Sequence, residues 1–210
     1  MIPVQQKPEP ASFQANVRAP GRAFLAKYPR PTKKQYGKER ARYWVNARGD
    51  LHTAYGGMCA YSAQWMPLGD ATVDHYIPKS HDPNLAFEWS NYRLSRDKLN
   101  HHKADSLDVM DPFKIKPDWF IINFTNFHIE PNPGLGPVEN ARVRRTIEVL
   151  QLNTDYDLVQ ERTNILVDYS NNLFPFSHLQ RRYPFIAYEL QRQGLVTAII
   201  NMIRTRPRTP

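Results

Sequence analysis

The sequence predicts an α+β protein in which a small core of two strands and one helix is wrapped by further α-helices and one β-hairpin. Three observations predict it. Residues 71–75 and 92–94 read as short strands separated by a loop that Pro78 enforces, and a helical segment at 96–106 follows directly. Residues 119–124 and 127–130 are apolar, β-branched and aromatic on either side of Thr125-Asn126, the pattern of a hairpin. From Val138 onward apolar residues recur at helical spacing.

Taken in order, residues 1–36 form a basic, proline-rich arm. Pro3, Pro8, Pro10, Pro20, Pro29 and Pro31 limit regular structure there to short pieces such as a helix at 22–27. Arg18, Arg22, Lys27, Arg30, Lys33 and Lys34 are candidates to touch phosphates, with a solvated basic tail as the bland alternative. Residues 37–112 hold the strand-loop-strand-helix core and a preceding helix at 38–55, in which Ala41, Val45, Leu51, Ala54 and Tyr55 recur before Gly56-Gly57 stops it. Tyr43 and Trp44 are read as core residues. Ser95 is placed to cap the helix at 96–106, with Asp97 in its first turn.

Residues 113–203 are the hairpin and a helical C-terminal region. Ala141, Val143, Ile147 and Leu150 mark one helix. A second, capped by Asn153 or Thr154, runs through Leu158, Ile165 and Tyr169 until Pro175 ends it, and two more pieces follow at 177–182 and 185–202. Residues 204–210, with Arg204, Arg206 and Arg208, are a basic tail.

Lys plus Arg number 28 against 20 for Asp plus Glu, a net charge of +8 that suits a polyanionic partner. The single cysteine, Cys59, excludes an intramolecular disulfide and any multi-cysteine zinc site. No run of about 18 apolar residues occurs, and the first residues lack an apolar signal core, so a cytoplasmic protein without a membrane partner is expected.

The chemistry concentrates in residues 61–105. Asp74 stands beside His75, Asn91 follows after 16 positions (75 to 91), and Asn100 after nine more (91 to 100). Phosphodiester cleavage needs a water nucleophile, a base to deprotonate it and a cation to stabilise the developing charge. His75 suits the base and the Asp74 carboxylate is a hard ligand for Mg²⁺ or Mn²⁺, with Asn100 a second oxygen donor from the helix. In a regular strand Asp74 and His75 point to opposite faces, so they share a site only where the strand ends. Asn91 is placed to hold the loop by backbone hydrogen bonds and so to orient the imidazole. His52, His81, His128 and His178 lack a comparable setting, and Arg142, Arg144, Arg145, Arg181 and Arg182 read by default as solvated helix faces.

Asp74-His75, Asn91 and Asn100, with Pro78-Lys79-Ser80 and Lys103, resemble the HNH endonuclease family, whose ββα-metal motif has this strand, loop, strand and helix order. The resemblance implies His75 as general base, Asp74 and Asn100 as ligands of one Mg²⁺ or Mn²⁺, and Asn91 as the residue that orients the histidine loop. Lys79, His101, His102 and Lys103 are then expected near phosphates; a helix register shifted by one would make His101 or His102 a metal ligand in place of Asn100, but a solvated, phosphate-facing helix surface is the plainer reading of the two histidines. Many HNH proteins carry two Cys-x-x-Cys pairs around this core. Here Cys59 matches the first position, but Ser62, Arg96 and Leu99 stand at the others, so no structural zinc is expected and Trp65, Trp89 and Leu94 must supply the packing. Zinc-free HNH domains of RNA-guided CRISPR nucleases are similar in this respect.

The phrase at 86–91 and the helices after Val138 also resemble small bacterial HNH proteins of phage-defence operons, which implies an ABC-type ATPase as a partner. DNA is the expected substrate, with RNA as the other candidate. One metal centre cuts one strand at a time, so double-strand cleavage implies a homo-oligomer or rebinding. The rival reading is a nucleic-acid-binding or assembly subunit whose HNH site is latent or inactive. A zinc-dependent enzyme is the third reading, weakened by the missing thiolates.

Overall fold

In the computed structural model of the chain, residues 1–204 are described. Arg206 and Arg208 of the expected basic tail lie outside them. The fold is α+β, with two separate two-stranded sheets and nine α-helices among the described residues.

Strand β1 (Ala71–His75) pairs antiparallel with β2 (Tyr92–Arg96), in a register that runs from Ala71↔Arg96 to His75↔Tyr92. The helix that follows is called α4 (Asp97–Lys103) in chain order, after α1 (Ala19–Lys27), α2 (Lys33–Lys38) and α3 (Arg48–Ala54). It starts directly where β2 ends and packs on both strands. Ser95 does not cap it. Pairing with β1 keeps Ser95 and Arg96 in the sheet: the Thr72 hydroxyl donates to the Ser95 carbonyl (3.1 Å), and the Ser95 hydroxyl donates to the Arg96 carbonyl (3.0 Å). The N-cap is Arg96, with no side-chain bond.

Cys59 is buried beside this sheet, where its sulfur accepts the Arg96 N–H at 3.4 Å. The Arg96 guanidinium reaches outward to a bidentate pair with Glu161 (2.6 and 2.9 Å) on α6 (Tyr156–Ser170). The strand core is thereby tied to the C-terminal helices by the planar fork that carboxylates accept best.

The helix expected at 38–55 is divided. Arg40 has φ +52°, which no continuous helix allows, and a 3₁₀ segment at Tyr43–Ala47 precedes α3. At three residues per turn, Trp44 and Ala47 share one edge, and both are buried. Gly56 (φ +59°) and Gly57 (φ +71°) end α3 in the left-handed region that glycine tolerates.

The first 36 residues pack closely on the core. A π-helical turn at Gln14–Arg18 leads into α1, burying Phe13, Val17, Gly21 and Phe24 along one side. Phe13 stands edge-on to Trp89 and Tyr92, each at 5.6 Å. A Cβ on Gly21 would lie 2.1 Å from Cγ of Phe87, so this close approach needs glycine. Arg18 and Arg22 pair with Glu88 rather than standing free for phosphate.

Downstream, β3 (Phe120–Asn123) and β4 (His128–Pro131) form the hairpin, with Phe127 at φ +62° in its turn. Then come α5 (Pro137–Val149), α6, α7 (Phe176–Arg182), α8 (Pro184–Arg192) and α9 (Ala198–Arg204). Asp155 caps α6, accepting from the N–H groups of Asp157 and Leu158. Asn153, expected as that cap, instead bonds both backbone groups of Ile129 on the hairpin (2.8 and 2.7 Å). The helix expected at 185–202 is broken at Gly194, φ +69°. One continuous cluster of buried apolar residues runs from Met1 to Ile199, so arm, strand core and C-terminal helices share a core. Among the described residues no helix is long and apolar enough to cross a membrane.

Candidate functional site

Asp74 and His75 close β1, and both line a cleft of about 830 Å³ together with Thr72, Lys79, Asn100 and His101. Alternation along the strand explains the division of labour. Thr72 and Asp74 face α4, where residues three apart stack on one side: Asn100 Nδ2 donates to Thr72 Oγ1 (3.1 Å), and Lys103 Nζ donates to Asp74 Oδ1 (3.1 Å). His75 turns the other way and packs edge-on between Trp44 (5.1 Å) and Tyr92 (5.2 Å). Being the last residue of the strand, it still reaches the cleft.

His75 Nε2 lies 2.9 Å from the Ala86 carbonyl. A carbonyl only accepts, so Nε2 carries the ring proton and Nδ1 presents its lone pair. Burial, reinforced by the Lys79 ammonium, holds the imidazole pKa well below its ordinary value, so the ring is neutral at physiological pH. Lys79 Nζ stands 3.4 Å from Nδ1 and sits over the Trp44 ring at 4.7 Å. Its own pKa is lowered, chiefly by burial.

Asn91 clamps both ends of the loop that carries the Ala86 carbonyl. Its Oδ1 accepts from Ile77 N–H (2.8 Å), while Nδ2 donates to the carbonyls of Ile77 (3.0 Å) and Leu85 (3.1 Å). The Asn91 carbonyl accepts from Tyr76 N–H at 2.9 Å. The Tyr92 hydroxyl also donates to Ala86 O (2.8 Å), so the carbonyl that orients His75 is held from two sides.

Asp74 is 2% exposed. Its Oδ2 accepts from the Tyr61 hydroxyl, and its Oδ1 accepts from Lys103. Burial and the adjacent carboxylate raise the Tyr61 pKa well above the usual phenol, which keeps it a donor. A carboxylate offers about four acceptor positions, so two stay open. Asn100 has donated through nitrogen, which leaves its carbonyl oxygen for another partner.

Of the residues expected near phosphate, Lys79 and His101 line the cleft. Lys103 and His102 do not face it, which corrects that expectation. Lys103 is 1% exposed, spent on Asp74 and on the His75 carbonyl (2.8 Å). His102 turns toward the C-terminal helices, with Nδ1 on the Leu150 carbonyl (3.0 Å) and Nε2 3.4 Å from Asp155.

Sequence reasoning missed Tyr61, the Ala86 carbonyl and the contact of Trp44 with His75. It also missed Arg42 and Arg48, which line the cleft. For Tyr61 and Ala86 the sequence holds no signal, because their partners are 13 and 11 positions away. No protein-family model matches the chain, and comparison with curated proteins finds no match.

Proposed function

We propose that the chain is a metal-dependent endonuclease of the HNH type, hydrolysing phosphodiester bonds of DNA, with His75 as general base. The observation that carries the reading is a neutral imidazole with its Nδ1 lone pair on a cleft shared with two oxygen donors, Asp74 and Asn100. Those donors fit a hard divalent cation: each retains an open acceptor position, and carboxylate and amide oxygens suit Mg²⁺ or Mn²⁺. Such an ion supplies charge stabilisation for the phosphate and the leaving oxygen.

The side chains carry the remaining steps. His75 Nδ1 takes a proton from water as the water oxygen bonds to phosphorus and the bond from phosphorus to the leaving oxygen breaks. The leaving oxygen collects a proton from solvent. Ala86 O stabilises the imidazolium through Nε2–H, and Asn91 keeps that carbonyl in place. Lys103 and Tyr61 fix the Asp74 carboxylate, so orientation is set before substrate arrives.

The second reading, a latent subunit, is favoured by one observation: Lys79 sits within reach of the Nδ1 that must accept the proton. A partner such as the ABC-type ATPase of the phage-defence resemblance, or a second copy of the chain, would then have to draw Lys79 away. Supercoiled plasmid incubated with the purified chain, with Mg²⁺ or Mn²⁺ and with EDTA, separates the two. Metal-dependent nicking by the chain alone supports the enzyme. Cleavage only after adding the partner supports the latent form, and binding without cleavage in any combination overturns the nuclease reading.

A further inference from the structure

Part of the cleft lining comes from residues between Pro31 and Arg48, which no step of the proposed reaction uses. Its 3₁₀ segment repeats every three residues, so Arg42, Val45 and Arg48 fall on one edge while Trp44 and Ala47 turn into the core. All three edge residues line the cleft and are exposed, as does Lys33 at the start of α2. Arg18, Arg22, Arg96, Arg145 and Arg192 all sit in ion pairs. Arg42, Arg48 and Lys33 have no carboxylate partner among the described residues. Three cations without a carboxylate partner in a cleft that also carries Asp74, Asp97 and Asp105 give part of its lining a positive charge that suits a polyanion.

We propose that Arg42, Arg48 and Lys33 form a rail that grips the phosphodiester backbone and lays it across His75. The inference rests on the nucleic-acid reading of the cleft but not on catalysis. Arg42 and Arg48 are six residues apart, about 12 Å along a 3₁₀ axis at about 2.0 Å per residue. At about 3.4 Å per nucleotide along one strand, that spans three to four nucleotides. Val45 between them is 43% exposed and offers a dry contact to the sugar edge. Trp44, buried beneath the edge, carries both Lys79 and His75 on its ring, so the rail and the base share one support.

The test is fluorescence anisotropy in EDTA with a labelled duplex DNA and an RNA of the same sequence, across a fourfold range of salt. The proteins are the full chain, the variant Arg42→Ala/Arg48→Ala/Lys33→Ala, and the control Arg144→Ala/Arg181→Ala. On duplex DNA each phosphate contact contributes a salt slope of about 0.9, roughly 3.5-fold in affinity over that range, so loss of three contacts removes roughly 40-fold of the salt dependence; on single-stranded RNA, at about 0.7 per contact, the loss is roughly 20-fold. That flattening in the rail variant, with the control unchanged, supports the proposal, and its appearance on only one probe names the polyanion. Equal loss in the control, an unchanged slope in the rail variant, or no binding to either probe overturns it. Failure of cleavage with the rail effect intact sinks only the nuclease reading.

Discussion

Lys103→Met removes the ammonium from the most enclosed ion pair in the protein's site while keeping the length of the side chain. The two side chains are 0% and 2% exposed. Lys103 also holds the His75 carbonyl, so the variant loses two charge-assisted hydrogen bonds and leaves Asp74 with the Tyr61 hydroxyl alone. Breaking a buried pair from one side costs about 3–5 kcal/mol, because the surviving charge stays desolvated. For a chain of this size that is a fall in Tm of about 6–20 °C, at about 2–4 °C per kcal/mol. The assay is urea denaturation of wild type, Lys103→Met, Asp74→Asn and the double variant. Asn at 74 still accepts from Tyr61 but carries no charge, so the double variant recovers part of the loss, with a coupling of about 2 kcal/mol or more. A Lys103→Met chain within about 1 kcal/mol of wild type, or additive single effects, would refute the reasoning.

Further outcomes follow from other contacts. Because burial lowers the His75 pKa below the unfolded value of about 6.5, the unfolded chain takes up a proton that the native chain refuses. The contribution of neutral His75 is therefore complete above about pH 6.5 and is lost as pH falls below it, at up to about 1.4 kcal/mol per pH unit. His75→Asn removes that part of the slope in urea titrations, and an unchanged slope contradicts the assignment. Asn91→Ala frees both ends of the loop and lowers kcat about 10- to 100-fold with KM nearly constant; a change confined to KM would contradict an orienting role. Gly21→Ala gains about 1 kcal/mol of helix propensity but drives a methyl into the Phe87 ring, so the net effect is a loss of stability that Phe87→Leu relieves. A stabilised Gly21→Ala chain would show that the arm packs differently.

Much of the strand core was legible because its signals are local. The strand expected at 71–75 matches the bounds of β1, Pro78 marks the loop, and Asn91, expected at the start of the second strand to hold that loop by backbone hydrogen bonds, does bond Ile77 and Leu85. The parts that escaped depend on partners remote in sequence. Lys103 reads as a surface lysine until Asp74, 29 residues earlier, is brought against it. His102 reads as phosphate-facing until Leu150 and Asp155 arrive from the C-terminal region. Ser95 carries a capping signal, yet its pairing with Thr72 keeps it in β2, one residue short of the N-cap position, which falls to Arg96. The helix expected at 38–55 failed too. The chain turns through the left-handed region at Arg40 and re-enters helix by a 3₁₀ segment at Tyr43–Ala47, and the spacing of apolar residues carries no sign of that break.

The same tertiary placement makes the arm part of the site. Gly21 admits Phe87, Phe87 lies 6.0 Å from Trp44, and Trp44 supports His75. A sequence reading treats these as four separate features, whereas packing links them into one wall behind the imidazole.

The central claim is that His75 is the base for phosphodiester hydrolysis. It is tested most directly by the initial nicking rate of supercoiled plasmid in Mn²⁺ or Mg²⁺, measured side by side for wild type and a folded His75→Ala chain. General-base catalysis contributes about 10²–10⁴ in rate, so the variant is expected to fall by at least about 100-fold while still binding DNA. Metal-dependent nicking that persists at the wild-type rate in His75→Ala would contradict the claim.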